Sequence, residues 1–282
     1  MKPYAPSLLA ELSDFAAKRQ TRRSTMILCE TWHHLCSTYN QSLLTLRDDK
    51  LPALSGMPRY VADATGDQYV LGLWRSSLIR DLLWSYTPDT SWNEHLEALS
   101  LANGLNAPSW SWMIHNKYFE RGTEEFPLNY DHTFVNECQI CRIEISYATT
   151  NEFGRIGRSA LTISGRLLLS SHHFVRSPNQ NSTVTVWLIY HEGRPIYTCH
   201  LDWAHEAAVV HPPDGLMMFK LGTSPIYTMG ERSFRNAVWG ILLIPTQVAM
   251  EYQRIGIFSS CWDVPDAVDL FKFAELRTIK LI

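Results

Sequence analysis

Eight runs rich in Val, Ile, Thr, Leu and Tyr occupy residues 133–148, 159–170, 183–190, 195–201, 207–220, 236–244, 250–258 and 276–282, separated by clusters of Gly, Pro, Asn and Asp. Short runs of this composition at this spacing are strand signals. A chain built mostly from them must stack or close its sheet to bury the apolar faces. The expectation for the C-terminal half is therefore a mostly antiparallel β-barrel or β-sandwich. Glu192-Gly193-Arg194-Pro195 and Pro212-Pro213-Asp214-Gly215 have the chemistry of hairpin turns.

Ahead of this region the period is helical. Ser7 to Lys18 reads as a helix capped by Ser7, with Leu8, Leu9, Leu12, Phe15 and Ala16 on one face. A second helix is expected from about Thr25, carrying Leu28, Trp32, Leu35, Tyr39 and Leu43 as its apolar stripe. A tryptophan-rich stretch then links the halves. Asp67 to Trp74 reads as a buried strand. Leu78 to Leu83 reads as a helix with Arg80 and Asp81 facing outward. Pro108 stiffens the entry to an extended Ser109-Trp110-Ser111-Trp112, with serines and indoles on opposite faces. The fold class expected is α+β: a helical N-terminal portion over residues 1–116, packed on an antiparallel β portion over residues 117–282, with one core shared across the tryptophan stretch.

Apolar residues make up 45% of the chain and charged residues only 19%, the balance of a folded protein. The net charge of −3 gives no general attraction to nucleic acid or anionic membrane, so neither is expected as a partner. Six cysteines in so long a chain are not spaced as a disulfide framework. The Met-Lys-Pro-Tyr-Ala-Pro start lacks a secretory apolar segment, and no run approaches the ~20 residues of a membrane span. A soluble, reduced, cytoplasmic protein is expected.

Familiar catalytic machinery is missing. There is no Walker A sequence, and Gly154-Arg155-Ile156-Gly157 lies between strands, as a hairpin turn would. Cys138-Gln139-Ile140-Cys141 is a lone pair of cysteines within a predicted strand, so no metal site is expected. No nucleophile elbow occurs, and Ser111 and His115 lie too far apart on a strand to act together. His191, His200, His205 and His211 are scattered near Asp202 and Glu206, where a His–carboxylate pair would be a general acid–base candidate. No cofactor is expected.

What remains is aromatic. The indoles of Trp74, Trp84, Trp110 and Trp112 serve either as core anchors or as the wall of an apolar small-molecule cavity. In the cavity reading these four bind substrate, and Asp67, Arg75, Arg80 and His115 are the polar, candidate catalytic groups beside them. The plainer role for Asp67, Arg75 and Arg80 is capping and ion pairing.

The run Asp67-Gln-Tyr-Val-Leu-Gly-Leu-Trp74, Leu82-Leu83-Trp84 and Ala107-Pro-Ser-Trp-Ser-Trp112 resembles the region downstream of the HET domain in fungal heterokaryon-incompatibility proteins. The resemblance continues through Trp32, Tyr39, Asp49-Lys-Leu-Pro-Ala-Leu-Ser-Gly56, Phe153-Gly-Arg-Ile-Gly157, Leu161-Thr-Ile-Ser-Gly165, Glu251-Tyr-Gln-Arg-Ile-Gly-Ile-Phe258 and Ile279-Lys-Leu-Ile282. In that family the HET domain precedes this region, and this chain has no room for it. The resemblance therefore implies a lineage and a fungal source without a chemistry. Two functions follow as expectations. One is a free-standing relative that binds an apolar small molecule, or acts on it without a cofactor as a cyclase, pericyclase or isomerase of specialised metabolism. The other is a non-catalytic interaction module of self-recognition, its partner being a second copy or a HET-family protein.

Overall fold

The computed structural model describes residues 31–33, 35, 36, 39, 56–86, 107–114, 119–121, 134–148, 156–169, 173–176, 187–202, 215–227, 234–260 and 270–282. Over these residues the fold is β-rich with few helices. Its strands are β1 (Tyr69–Val70), β2 (Leu73–Trp74), β3 (Trp84–Tyr86), β4 (Phe119–Arg121), β5 (Val135–Asn136), β6 (Gln139–Tyr147), β7 (Ile156–Leu169), β8 (His173–Arg176), β9 (Trp187–His191), β10 (Arg194–Leu201), β11 (Met217–Tyr227), β12 (Phe234–Pro245), β13 (Glu251–Ser260) and β14 (Glu275–Leu281). The helices are α1 (Gly56–Thr65) and the single turn α2 (Leu78–Asp81). No described helix is long and apolar enough to cross a membrane.

Ten strands form one sheet, and its pairings run in a circuit from β7 through β11, β12, β13 and β14 back to β7. All the contacts in this circuit are antiparallel except β13 with β14. From β13 the sheet also continues through β10 and β9 to β8. β13 therefore carries two strands end to end on one edge. β14 pairs at Glu251 and Tyr252, and β10 pairs from Gly256 to Ser260. Gly256 makes the second pairing possible, because a Cβ there would strike the His200 carbonyl and lie 2.9 Å from Leu201 Cα.

Two apolar clusters flank this arrangement. The first joins Trp32, the tryptophan stretch and residues of β7, β12 and β14; the second lies among β9, β10, β11 and β13. β12 separates them. Ala237, Trp239, Ile241 and Leu243 face the first cluster, and Val238 and Leu242 face the second. A strand alternates its side chains between faces, so one buried on both faces reads as a continuous apolar run.

Several sequence expectations need correction. Asp67 to Trp74 is not one strand but the hairpin β1–β2, reversed at Leu71 (φ 48°) and Gly72 (φ 92°). Positive φ at both central residues gives the turn a twist that matches the flanking strands. The helix after it is one turn long, and Asp81 is buried rather than facing outward. Ser109 to Trp112 is a turn leading into a 3₁₀ segment, Trp112–Ile114, not an extended strand. β3, β4 and β8 were not expected, and β11 runs on past residue 220 to Tyr227. The expected helix over residues 7–18 lies outside the described residues. Thr31, Trp32, His33, Leu35, Cys36 and Tyr39 are helical, with Trp32 and Leu35 buried. The Glu192-Gly193 turn does join β9 to β10.

Candidate functional site

The four indoles expected to wall a cavity lie in the core. None of them is more than 2% exposed. Trp112 Nε1 donates to the Gly72 carbonyl (3.0 Å), as does Trp32 Nε1 (2.9 Å), so two indoles converge on one carbonyl of the β1–β2 turn. Ser111 Oγ donates to the neighbouring Leu71 carbonyl (2.7 Å). Trp74 packs edge-to-face on Trp32 (5.2 Å, 72°) and on Tyr69 (5.5 Å, 65°). Trp84 Nε1 donates to the Trp110 carbonyl (3.0 Å). Trp74 and Trp110 keep buried N–H groups with no acceptor among the described residues. The aromatic rings pack against one another, and their bonds fasten the hairpin to Trp32 and to the 107–114 segment.

The polar candidates separate in the same way. Asp67 closes a loop: its Oδ1 accepts from the backbone N–H groups of Gln68 (2.8 Å) and Ser76 (3.3 Å), and its Oδ2 from Ser76 Oγ (2.5 Å). Arg75 reaches back to Gln68 Oε1 (3.2 Å) at the exposed surface. Arg80 is half-buried in α2. His115 lies outside the described residues. Asp67 does border a small cleft of about 270 Å³ with Tyr69, Ile143 and Tyr147, but the indoles do not. Of the lone cysteine pair, Cys138 is half-buried with its thiol pushed up to about 12 by desolvation and by neighbouring Glu137, and Cys141 is exposed.

The larger cleft, about 990 Å³, opens where β14 and β10 part on the edge of β13. Ser109 stitches this gap. Its N–H donates to the main-chain oxygen of Ile282 (3.0 Å), its Oγ donates to the same oxygen, and the Arg254 N–H donates to that Oγ (2.9 Å). The other side is closed by the Asp202 N–H on the Ile255 carbonyl (2.7 Å). Between the two lies Arg254, its side chain wholly buried. Its guanidinium pairs with Asp202 Oδ2 (2.5 Å), donates to the Trp84 carbonyl (2.5 Å), and lies 3.5 Å above the Trp84 ring. Arg is suited to this place because its planar fork bonds in-plane while its face stacks.

Asp202 and Arg254 both line the cleft, and Asp202 Oδ1 has no protein partner among the described residues. Burial pushes the Asp202 carboxyl up to about 6, against the opposing pull of Arg254, and the same burial lowers Arg254. At the rim Arg142 pairs with Glu144 (3.1 Å) and Lys280 with Glu251 (3.5 Å). Exposed Arg158 has no ion-pair partner among the described residues. Sequence reasoning named Asp202 only as a partner for histidine and did not single out Arg254 as a site residue.

His200 precedes the pair on β10 and is held down to about 4 by desolvation, against an ordinary 6.5. As pH falls from 6.5, the unfolded chain takes up this proton first, so His200 withdraws stability toward pH 4. Asp202 acts in the opposite sense. Its folded value near 6 exceeds the ordinary 3.8, so the folded state takes up the proton first and gains stability as pH falls through that window. The two slopes oppose. Relative to the parent, a His200→Gln variant should gain about 3 kcal/mol of stability between pH 7 and pH 4, read by urea denaturation at each pH. A constant offset between the two proteins would show that the buried imidazole does not titrate in this way.

Comparison with known protein families, curated proteins and solved structures gives no match.

Proposed function

We propose that this chain is a small-molecule-binding protein, of cofactor-independent isomerase type where it turns its ligand over, and that its site is the cleft at the parting of β10 and β14. The lineage proposed is the heterokaryon-incompatibility family, on the motifs quoted above. The observation that carries the reading is Asp202. It is a carboxyl near pKa 6, fixed through one oxygen by a buried arginine and with its other oxygen left to a cleft. A carboxyl poised close to neutrality can accept a hydrogen bond from a ligand and exchange a proton with it. The cleft is lined mainly by polar and charged side chains, so the ligand is polar rather than the apolar compound expected from the tryptophans. The exposed guanidinium of Arg158 at its rim favours one that carries a carboxylate or phosphate.

The test is a thermal-shift screen of the pure protein against polar metabolites that bear an anionic group. A true ligand raises the melting temperature by mass action. Arg158→Ala should leave the ligand-free protein within about 0.5 kcal/mol of the parent, because the side chain is exposed and unpaired. It should reduce the ligand-induced shift at least tenfold in ligand concentration. A ligand whose shift survives both Arg158→Ala and Asp202→Asn binds elsewhere, and the proposal fails.

A further inference from the structure

We propose that the outer edge of β14 pairs with the same edge of a second copy of this chain. β14 runs beside β7 for its full length, but meets β13 only at Lys280 and Leu281. The Lys280 and Ile282 N–H groups donate away from β7, to the Met250 and Tyr252 carbonyls. Backbone groups alternate between the two sides of a strand, so Leu276 and Thr278 also direct theirs away from β7. No strand meets them there among the described residues. Both faces are bare as well: Glu275, Leu276, Arg277 and Thr278 are all exposed. Leu276 is 72% exposed, and Phe273, just before the strand, is 87% exposed. Val248 and Met250 in the neighbouring β12–β13 turn add further exposed apolar surface. An open edge beside apolar side chains is a template for strand pairing, and a folded protein covers or blocks it.

The sequence Glu275-Leu276-Arg277 selects the occupant, because it is complementary to itself. Antiparallel pairing about a two-fold axis at Leu276 sets Leu276 opposite Leu276, and each Glu275 opposite Arg277 of the other copy. Side chains directly opposite interact most strongly, and opposite charges there are favourable. A register centred on Arg277 would instead oppose two arginines. At the axis the outward N–H and C=O of the two Leu276 residues exchange a pair of hydrogen bonds. Within one chain Arg277 Nε already donates to Glu275 Oε2 (2.7 Å), so two such pairs merge into a group of four charges. The contact uses the same patch on both copies, so assembly closes at two.

Light scattering on the size-exclusion eluate, with the full chain at tens of micromolar, reads the mass directly. The parent should elute at twice the 32.4 kDa of the chain. Glu275→Arg and Arg277→Glu should each give monomers with unchanged melting temperature, since both side chains are exposed. Mixing the two single variants should restore the dimer, and so should placing both substitutions in one chain. A monomeric parent, or a dimer that both single reversals leave intact, overturns the proposal.

Discussion

Replacing Arg254 by methionine is expected to destabilise the protein by about 3–5 kcal/mol, the largest loss from any single charge in the described structure. The reason is what stays behind. Methionine removes the partner of Asp202 Oδ2, the donor to the Trp84 carbonyl and the cation over the Trp84 ring together. The carboxylate then sits 4% exposed with no compensating charge, and the Trp84 carbonyl loses its charged donor. Methionine nearly fills the volume, so the loss reports electrostatics more than packing. The same logic predicts a rescue. Burying two ions costs desolvation that their attraction only partly returns, so Arg254→Met combined with Asp202→Leu should recover to within about 1–2 kcal/mol of the parent. Urea denaturation of the parent, the two single variants and the double variant gives the coupling. A small loss in Arg254→Met, below about 1 kcal/mol, would mean that water already reaches the pair, and would remove the ground for a poised carboxyl in the cleft.

Strand composition made most of the sheet legible. The runs at 159–170, 195–201, 236–244, 250–258 and 276–282 fall on β7, β10, β12, β13 and β14 within a few residues, because Val, Ile and aromatic side chains suit a pleated, half-buried surface whichever strand pairs beside them. Closure was not legible. The bond between β12 and β13 that completes the circuit gives the same alternation whether a sheet closes or stacks. The tryptophan stretch departs from its sequence signal for a different reason. Leu71 carries a positive φ, which a β-branched or apolar residue seldom adopts, so propensity continued the strand through the turn. Asp81 was placed outward by helical spacing, yet Ser77 Oγ donates to its Oδ2 and His33 Nε2 stands 3.6 Å from its Oδ1. Long-range partners of this kind leave no trace in local periodicity. Arg254 did leave one. A single cation within Gln253-Arg254-Ile255-Gly256-Ile257-Phe258 is a charge in a buried strand, and such a charge requires a carboxylate beside it.

Gly72→Ala is expected to cost about 3–4 kcal/mol, and Gly193→Ala, at a similar backbone conformation, only about 1–2 kcal/mol. The two glycines occupy the second position of matching turns, after Leu71 (φ 48°) and Glu192 (φ 50°), at φ 92° and φ 76°. Either substitution forces an L side chain into the left-handed region, which accounts for the smaller figure. Around Gly193 a new Cβ meets nothing within 4 Å. At Gly72 it would lie 2.6 Å from Trp112 Nε1 and 3.0 Å from Met113 Cγ, in a cluster that has no room to yield. To relieve the contact the indole must retreat and surrender its bond to the Gly72 carbonyl, one of the two indole bonds that converge on that oxygen. The difference between the two variants therefore isolates the close approach of Trp112 from backbone strain, and urea denaturation of the pair measures it. Equal losses would mean that the indole moves aside freely. The tryptophan lattice would then be ordinary filling, and the Gly72 carbonyl would not be the point at which this segment is fastened.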